Sequence, residues 1–97
     1  MKKLVLPWQG MNIKITYESD YSQAVKTTQG YQLAHIEVRH DSPLPITKTG
    51  YRSIFLPDSE VEEAGGVIKF IRAELDKAAQ LKEWKAYKAE QSQLKLF

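Results

Sequence analysis

Residues 31–39 alternate strictly. Ala34, Ile36 and Val38 fall on one side of an extended backbone, and Leu33, His35, Glu37 and Arg39 fall on the other. A period of two marks a β-strand with one apolar face. Such a face cannot be left in water, so the rest of the chain has to supply neighbouring strands and a layer to cover them. A second half-buried strand is predicted where Met11, Ile13, Ile15 and Tyr17 alternate with Asn12, Lys14, Thr16 and Glu18. Residues 51–56 read as a third, short strand stopped by Pro57. Residues 21–28 are weaker. Val25, Thr27 and Thr28 favour a strand there, while Ser22, Gln23 and Ala24 suit a loop equally well.

After Pro57 the period changes. Ser59 followed by Glu62 has the spacing of a capping box, and Glu60, Glu62 and Glu63 bring negative charge to the start of a helix. Gly65-Gly66 is costly inside a helix and is expected to kink or divide it. Val67, Ile71, Leu75 and Ala79 then recur every four residues, with Ile68 and Ala78 beside them. Residues 82–91 are a second helical stretch, and neither Gly nor Pro separates it from the first. The predicted fold is therefore α+β: an antiparallel sheet of three or four strands, then one long or two consecutive C-terminal helices packed on one face. Residues 11–91 form the single domain in this reading. Residues 1–10 are either a leader or a short extra strand, Met11 being a possible internal start, and residues 92–97 form a C-terminal tail.

A chain of 97 residues suits one modest core. It has no cysteine, which excludes a disulfide scaffold, thiolate metal sites and a cysteine nucleophile. Lys plus Arg exceed Asp plus Glu by 14 − 12 = 2. This mild basicity permits contact with nucleic acid without arguing for it, and it disfavours an acidic mimic of DNA. The basic start Met1-Lys2-Lys3 and the apolar run to Leu6 stop at Pro7, too short for the core of a signal peptide. No segment approaches the ~20 apolar residues of a membrane span. A cytoplasmic protein without membrane attachment is expected.

Three constellations are candidates for function. His35 and His40 point to opposite faces if their strand persists, and adjacent residues such as His40 and Asp41 diverge in an extended chain. Metal binding and histidine catalysis are thus the weakest reading, and no catalytic residue, cofactor or metal ligand is assigned. The second constellation is the proline-rich connection and the strand that follows. Arg39, Lys48 and Arg52, with Tyr51 as a stacking platform, have the chemistry to hold phosphate or a single strand of nucleic acid. The bland alternative is a stiffened loop carrying ordinary solvated charges, with Gly50 supplying a positive φ.

The same region, His35-Ile36-Glu37-Val38-Arg39 with Pro43-Leu44-Pro45-Ile46-Thr47 and Thr49-Gly50-Tyr51-Arg52-Ser53-Ile54-Phe55, resembles a group of small proteins of plasmids and other mobile elements. The resemblance runs from about Met11 to Phe97. That group often has a histidine before the phenylalanine, where this chain has Ile54. The resemblance implies a mobile-element setting and no particular activity.

The third constellation is the end of the chain, Gln93-Leu94-Lys95-Leu96-Phe97. It resembles the pentapeptide by which bacterial polymerases and repair proteins dock on the β sliding clamp. The resemblance implies polar contacts from Gln93 and apolar subsites filled by Leu94, Leu96 and Phe97. Lys95 departs from the small or acidic residue usual at its position. Such a match arises by chance in roughly one chain of this size in several hundred. Trp84, Tyr87, Gln91 and Leu94 also fall at helical spacing, so the last helix can equally run to the end and bury Leu94 and Phe97. From sequence, the leading expectation is a non-enzymatic adaptor of a mobile element that docks on the clamp or another protein through its tail. The alternative is a nucleic-acid-binding accessory protein, and a histidine-dependent enzyme comes third.

Overall fold

The computed structural model describes residues 2–94, with the backbone alone for Gln23, Val25 and residues 91–94. Its elements are β1 (Lys2–Trp8), β2 (Met11–Glu18), α1 (Gln23–Gln29), β3 (Leu33–Arg39), β4 (Tyr51–Pro57), α2 (Asp58–Glu63), α3 (Val67–Ala78) and α4 (Lys82–Leu94). The strands form one antiparallel sheet in the order β1-β2-β3-β4. The fold is α+β, with the sheet first and the main helices last.

The β1–β2 hairpin turns on Gln9 and Gly10, both at positive φ (46° and 79°). Two left-handed residues give a turn whose twist matches that of the strands. Pro7 is tolerated because β1 lies at the edge of the sheet, where a missing N–H breaks no ladder. Residues 21–28 hold α1 rather than a strand. There is no slot for a strand here, since β2 and β3 pair directly, with Ile15 opposite Val38 and Tyr17 opposite Ile36. The segment is a surface connection, tied by Thr28 Oγ1 donating to the Ala24 carbonyl at 2.6 Å and by a Lys26–Asp20 ion pair at 3.6 Å. A threonine hydroxyl bonding back one turn offsets the weak helix preference of its branched side chain.

The register collects every buried strand residue on one face. Leu6, Trp8, Ile13, Ile15, Ala34, Ile36 and Val38 meet Val61, Val67, Ile71 and Leu75 from α2 and α3. Each fully buried aliphatic side chain contributes about 1.5–3 kcal/mol. The glycine pair separates α2 from α3, with φ of 95° at Gly65 and 113° at Gly66. The helix start differs from the capping-box expectation. Pro57 is the N-cap, no side chain caps the helix, and α2 begins at Asp58. Asp58 is buried and accepts a hydrogen bond from the Tyr17 hydroxyl, while its own N–H donates to the Gln32 carbonyl at 2.9 Å. The carboxylate thus joins the helix layer to β2.

α3 and α4 are separate helices joined by a tight turn at Ala79–Leu81 (residues 79–81), closed by Leu81 N–H on the Ala78 carbonyl at 3.0 Å. Of α4, Trp84 reaches the core. Its ring lies 6.3 Å from that of Trp8, which donates its indole N–H to Asp76 at 2.8 Å. Tyr87 stacks on Trp84 at 5.2 Å, and the residues between and beyond them, up to Glu90, are exposed. The principal extents of 56 × 23 × 21 Å reflect this projecting helix. Among the described residues, no helix is long and apolar enough to cross a membrane.

Burial pushes the Tyr17 phenol well above its ordinary value, and the Asp58 hydrogen bond and the charges of Asp58 and Glu62 push the same way. A raised phenol favours the folded state while it is protonated. That contribution is complete below the unfolded-chain value of about 10 and declines as pH rises beyond it. Tyr17→Phe should cost about 1–3 kcal/mol at neutral pH by stranding the Asp58 carboxylate. It should also flatten the loss of stability above pH ~10. Urea titrations of both proteins across that range check the expectation.

Candidate nucleic-acid interface

Because the helices cover one face of the sheet, the other face is open. The registers place its side chains in three rows across the strands. The first row is Val5, Lys14, Arg39 and Tyr51; the second is Lys3, Thr16, Glu37 and Ser53; the third is Glu18, His35 and Phe55. Neighbours in an antiparallel row lie about 4.5–5.5 Å apart, close enough to act on one ligand.

The first row is basic and ends in an aromatic ring. The Arg39 guanidinium sits over the Tyr51 ring at 4.6 Å and also pairs with Glu37 at 2.7 Å. Its side chain is still 58% exposed, so its remaining donors face solvent. A cleft of about 540 Å³ lies at this end of the sheet, with Asn12, Lys14, Arg39, His40, Thr49 and Tyr51 on its walls. The Thr47 and Thr49 hydroxyls both donate to the Tyr51 carbonyl, at 2.8 and 3.2 Å. Gly50 turns into β4 at φ 81°, and a side chain there would run into the His40 carbonyl. These contacts fix the ring that Arg39 covers.

The third row is aromatic. His35 stacks on Phe55 at 4.4 Å with the planes 12° apart, and Tyr21 meets the pair at 4.8 and 5.2 Å. His35 Nε2 is 2.7 Å from the Ser53 hydroxyl. Phe55 and Tyr21 are about half exposed, at 51% and 49%. Rings held in solvent by one another form a platform on which further flat groups can stack.

Of the four residues expected at a nucleic-acid site, Arg39 and Tyr51 come together. Arg52 turns to the helix side of the sheet and donates to the Ile46 carbonyl at 3.0 Å. Lys48 lies in the loop that faces Trp84 and Tyr87. Sequence reasoning does not place Lys14, His35, Phe55 and Tyr21 at this site. The alternation of β3 marks a second face for solvent or ligand, but only the register shows which residues of other strands share it. His40 does not join His35. Its Nδ1 is engaged by the Ser42 backbone N–H (3.1 Å) and hydroxyl (2.9 Å), and not by the neighbouring Asp41. Among the described residues, no group of His, Asp and Glu side chains is arranged to hold a metal ion. Gln93 and Leu94 fall in the last turn of α4, and Leu96 and Phe97 lie outside the described residues.

A family model, the KlcB third domain, matches residues 1–84. The chain belongs to that family. It is a plasmid-associated family. The KlcB match spans all four strands, α1 to α3 and the open face, and ends at Trp84, where α4 is seated on Trp8. No curated protein and no solved structure shows significant similarity.

If the exposed rings serve a ligand rather than the fold, their removal should be cheap. Tyr51→Ala and Phe55→Ala are expected to lower stability by about 1 kcal/mol or less. Ile36→Ala, on the covered face of the same sheet, should cost about 2–5 kcal/mol. Chemical denaturation of the three variants makes the comparison.

Proposed function

We propose that this domain is a non-enzymatic plasmid accessory module whose open sheet face binds single-stranded nucleic acid. The observation that carries the reading is the Lys14–Arg39–Tyr51 row together with the His35–Phe55–Tyr21 cluster, which lies on the same face beyond the Glu37 row. Cations next to exposed rings on a flat sheet match the two parts of a single strand, phosphate and base. Each stacked base contributes about 1–3 kcal/mol, and every base has a face to stack. Arg39 brings donors that suit phosphate geometry and is already stacked on a ring. A phosphate on Arg39 competes with Glu37, which tempers affinity at that point. A single cationic row rather than a dense patch favours weak, salt-sensitive binding without sequence preference.

Fluorescence anisotropy with a labelled oligothymidine tests this. Affinity should fall with salt, and the log–log slope should shrink by about 0.7 when Lys14→Ala or Arg39→Ala removes one partner of a phosphate. Tyr51→Ala and Phe55→Ala should each weaken binding about 5- to 150-fold. No detectable binding at low salt, or binding indifferent to both aromatic substitutions, would sink the proposal.

A second reading is supported by α4. The helix leads away from the core, so the Gln93-Leu94-Lys95-Leu96-Phe97 segment starts at the far end of a projecting element. That placement suits docking on the bacterial sliding clamp, with Gln93 at the rim and Leu94, Leu96 and Phe97 in apolar subsites. These residues lie beyond the stretch matched by the family, so this activity would belong to the chain and not to the shared domain. Deleting residues 93–97 should abolish binding to purified clamp while leaving the thermal unfolding curve unchanged. Loss of folding on deletion would instead mark the segment as structural.

A further inference from the structure

We infer that the free edge of β4 is a self-complementary interface, through which two copies of this chain join their sheets about a two-fold axis at Ile54. This goes beyond the nucleic-acid reading and does not depend on it.

The hydrogen-bond parity of β4 identifies the groups available. His40 N–H donates to the Gly50 carbonyl (2.7 Å) and Asp58 N–H to the Gln32 carbonyl (2.9 Å), bracketing the β3–β4 ladder. With the register Val38–Arg52, Ile36–Ile54 and Ala34–Leu56, alternation means that Arg52, Ile54 and Leu56 bond inward to β3. Tyr51, Ser53, Phe55 and Pro57 therefore turn their backbone groups outward. Both ends of this outward row are closed. The Tyr51 carbonyl is taken by the Thr47 and Thr49 hydroxyls, and its N–H points at Thr49 Oγ1 at 3.4 Å. Pro57 has no N–H. Between them, among the described residues, Ser53 and Phe55 have no backbone partner on that side.

Two outward residues flanking one inward residue are self-complementary. In an antiparallel pairing about Ile54, Ser53 of one copy faces Phe55 of the other. Each such pair exchanges two bonds, giving four in all. The closed ends then meet each other, Tyr51 against Pro57, where no bond is needed. The side chains agree with this register. Ile54 meets Ile54, and the flank of the edge on the helix side is a groove lined by Ile46, Ile54, Leu56 and Phe70, with Arg52 and Glu74 as its charges. Among the described residues, neither Arg52 nor Glu74 has an ion-pair partner. The two-fold sets Arg52 of one copy opposite Leu56 of the other, on the flank that carries Glu74, so each copy offers the other one cation and one anion. The opposite edge is not equivalent. β1 carries the exposed cations Lys2 and Lys3, and Pro7 removes a donor from it, features that guard an edge against association.

The pairing makes a specific geometric prediction. Ile54 faces its own copy in a non-hydrogen-bonded pair, where Cα atoms lie about 4.5 Å apart, within the range a disulfide spans. Leu56 lies four residues from its own copy, about 13 Å away. The chain has no cysteine of its own. Under mild oxidation, Ile54→Cys should therefore form a covalent dimer and Leu56→Cys should not. In analytical ultracentrifugation of the whole chain, the wild type should show a concentration-dependent dimer. Ser53→Pro, which removes an outward donor and no backbone bond to β3, though it also loses the hydroxyl contact with His35, should weaken it about tenfold or more with an unchanged circular dichroism spectrum. If Ser53→Pro does not fold, the cysteine pair decides. A wild type that stays monomeric at every concentration, or equal cross-linking of the two cysteine variants, overturns the interface.

Discussion

The sheet is covered on one face only, and the rest of the molecule depends on that. Val61, Val67, Ile71 and Leu75 form a single apolar stripe along α2 and α3, and the stripe is matched to a single apolar face, with Leu6, Ile13, Ile15, Ile36 and Val38 at its centre. A sheet residue has two possible sides, and a slip of one position in register would exchange them. Burial of these side chains therefore pins the pairing of all four strands at once. The buried Asp58 serves the same end, since its bond from Tyr17 holds the start of the helix layer against β2.

What burial fixes on one side, it also arranges on the other. Lys14, Arg39 and Tyr51 need no attraction for one another to share a row, because Ile15, Val38 and Ile54 behind them hold the ladder in place. Local contacts then refine the result. Thr47, Thr49 and Gly50 position Tyr51 under the Arg39 guanidinium, and Tyr21 and Phe55 pack against the largely covered His35 ring while staying half exposed themselves. The open face is a rigid surface with exposed groups, the arrangement that suits recognition because its ordering has been met by folding and not by the ligand.

The periphery is less committed. α4 touches the core through Trp84, and the family match ends at that residue. The plasmid-associated domain is thus the sheet with α1 to α3, while most of α4 is an extension of it. The two edges of the sheet contrast in the same spirit. β1 carries lysines and an outward proline, whereas the outer side of β4 offers two uncapped residues between two closed ends. Edge strands without protection are templates for further pairing, and β4 is the one built to accept it.

Much of this was legible in the residues alone. Alternation in residues 11–17 and 33–39 and the four-residue spacing from Val67 to Leu75 determined the α+β class, the order of sheet before helices and most of the core, because these periods follow from backbone geometry. The glycine pair marked the break between α2 and α3. Short-range signals failed where a longer-range partner competed. The β-branched residues of α1 look like a strand, but β2 and β3 leave no space for one. The Ser59–Glu62 pair looks like a cap, yet the helix starts at Asp58, whose carboxylate accepts from Tyr17 41 positions away. The site divides the same way. Arg39 and Tyr51 could be named from sequence as chemically suitable, but their union with Lys14, and the separation of Arg52 and Lys48 from them, were decided by register alone. Which strands are neighbours, and in what alignment, is a property of the packed sheet and is written in no single stretch of the chain.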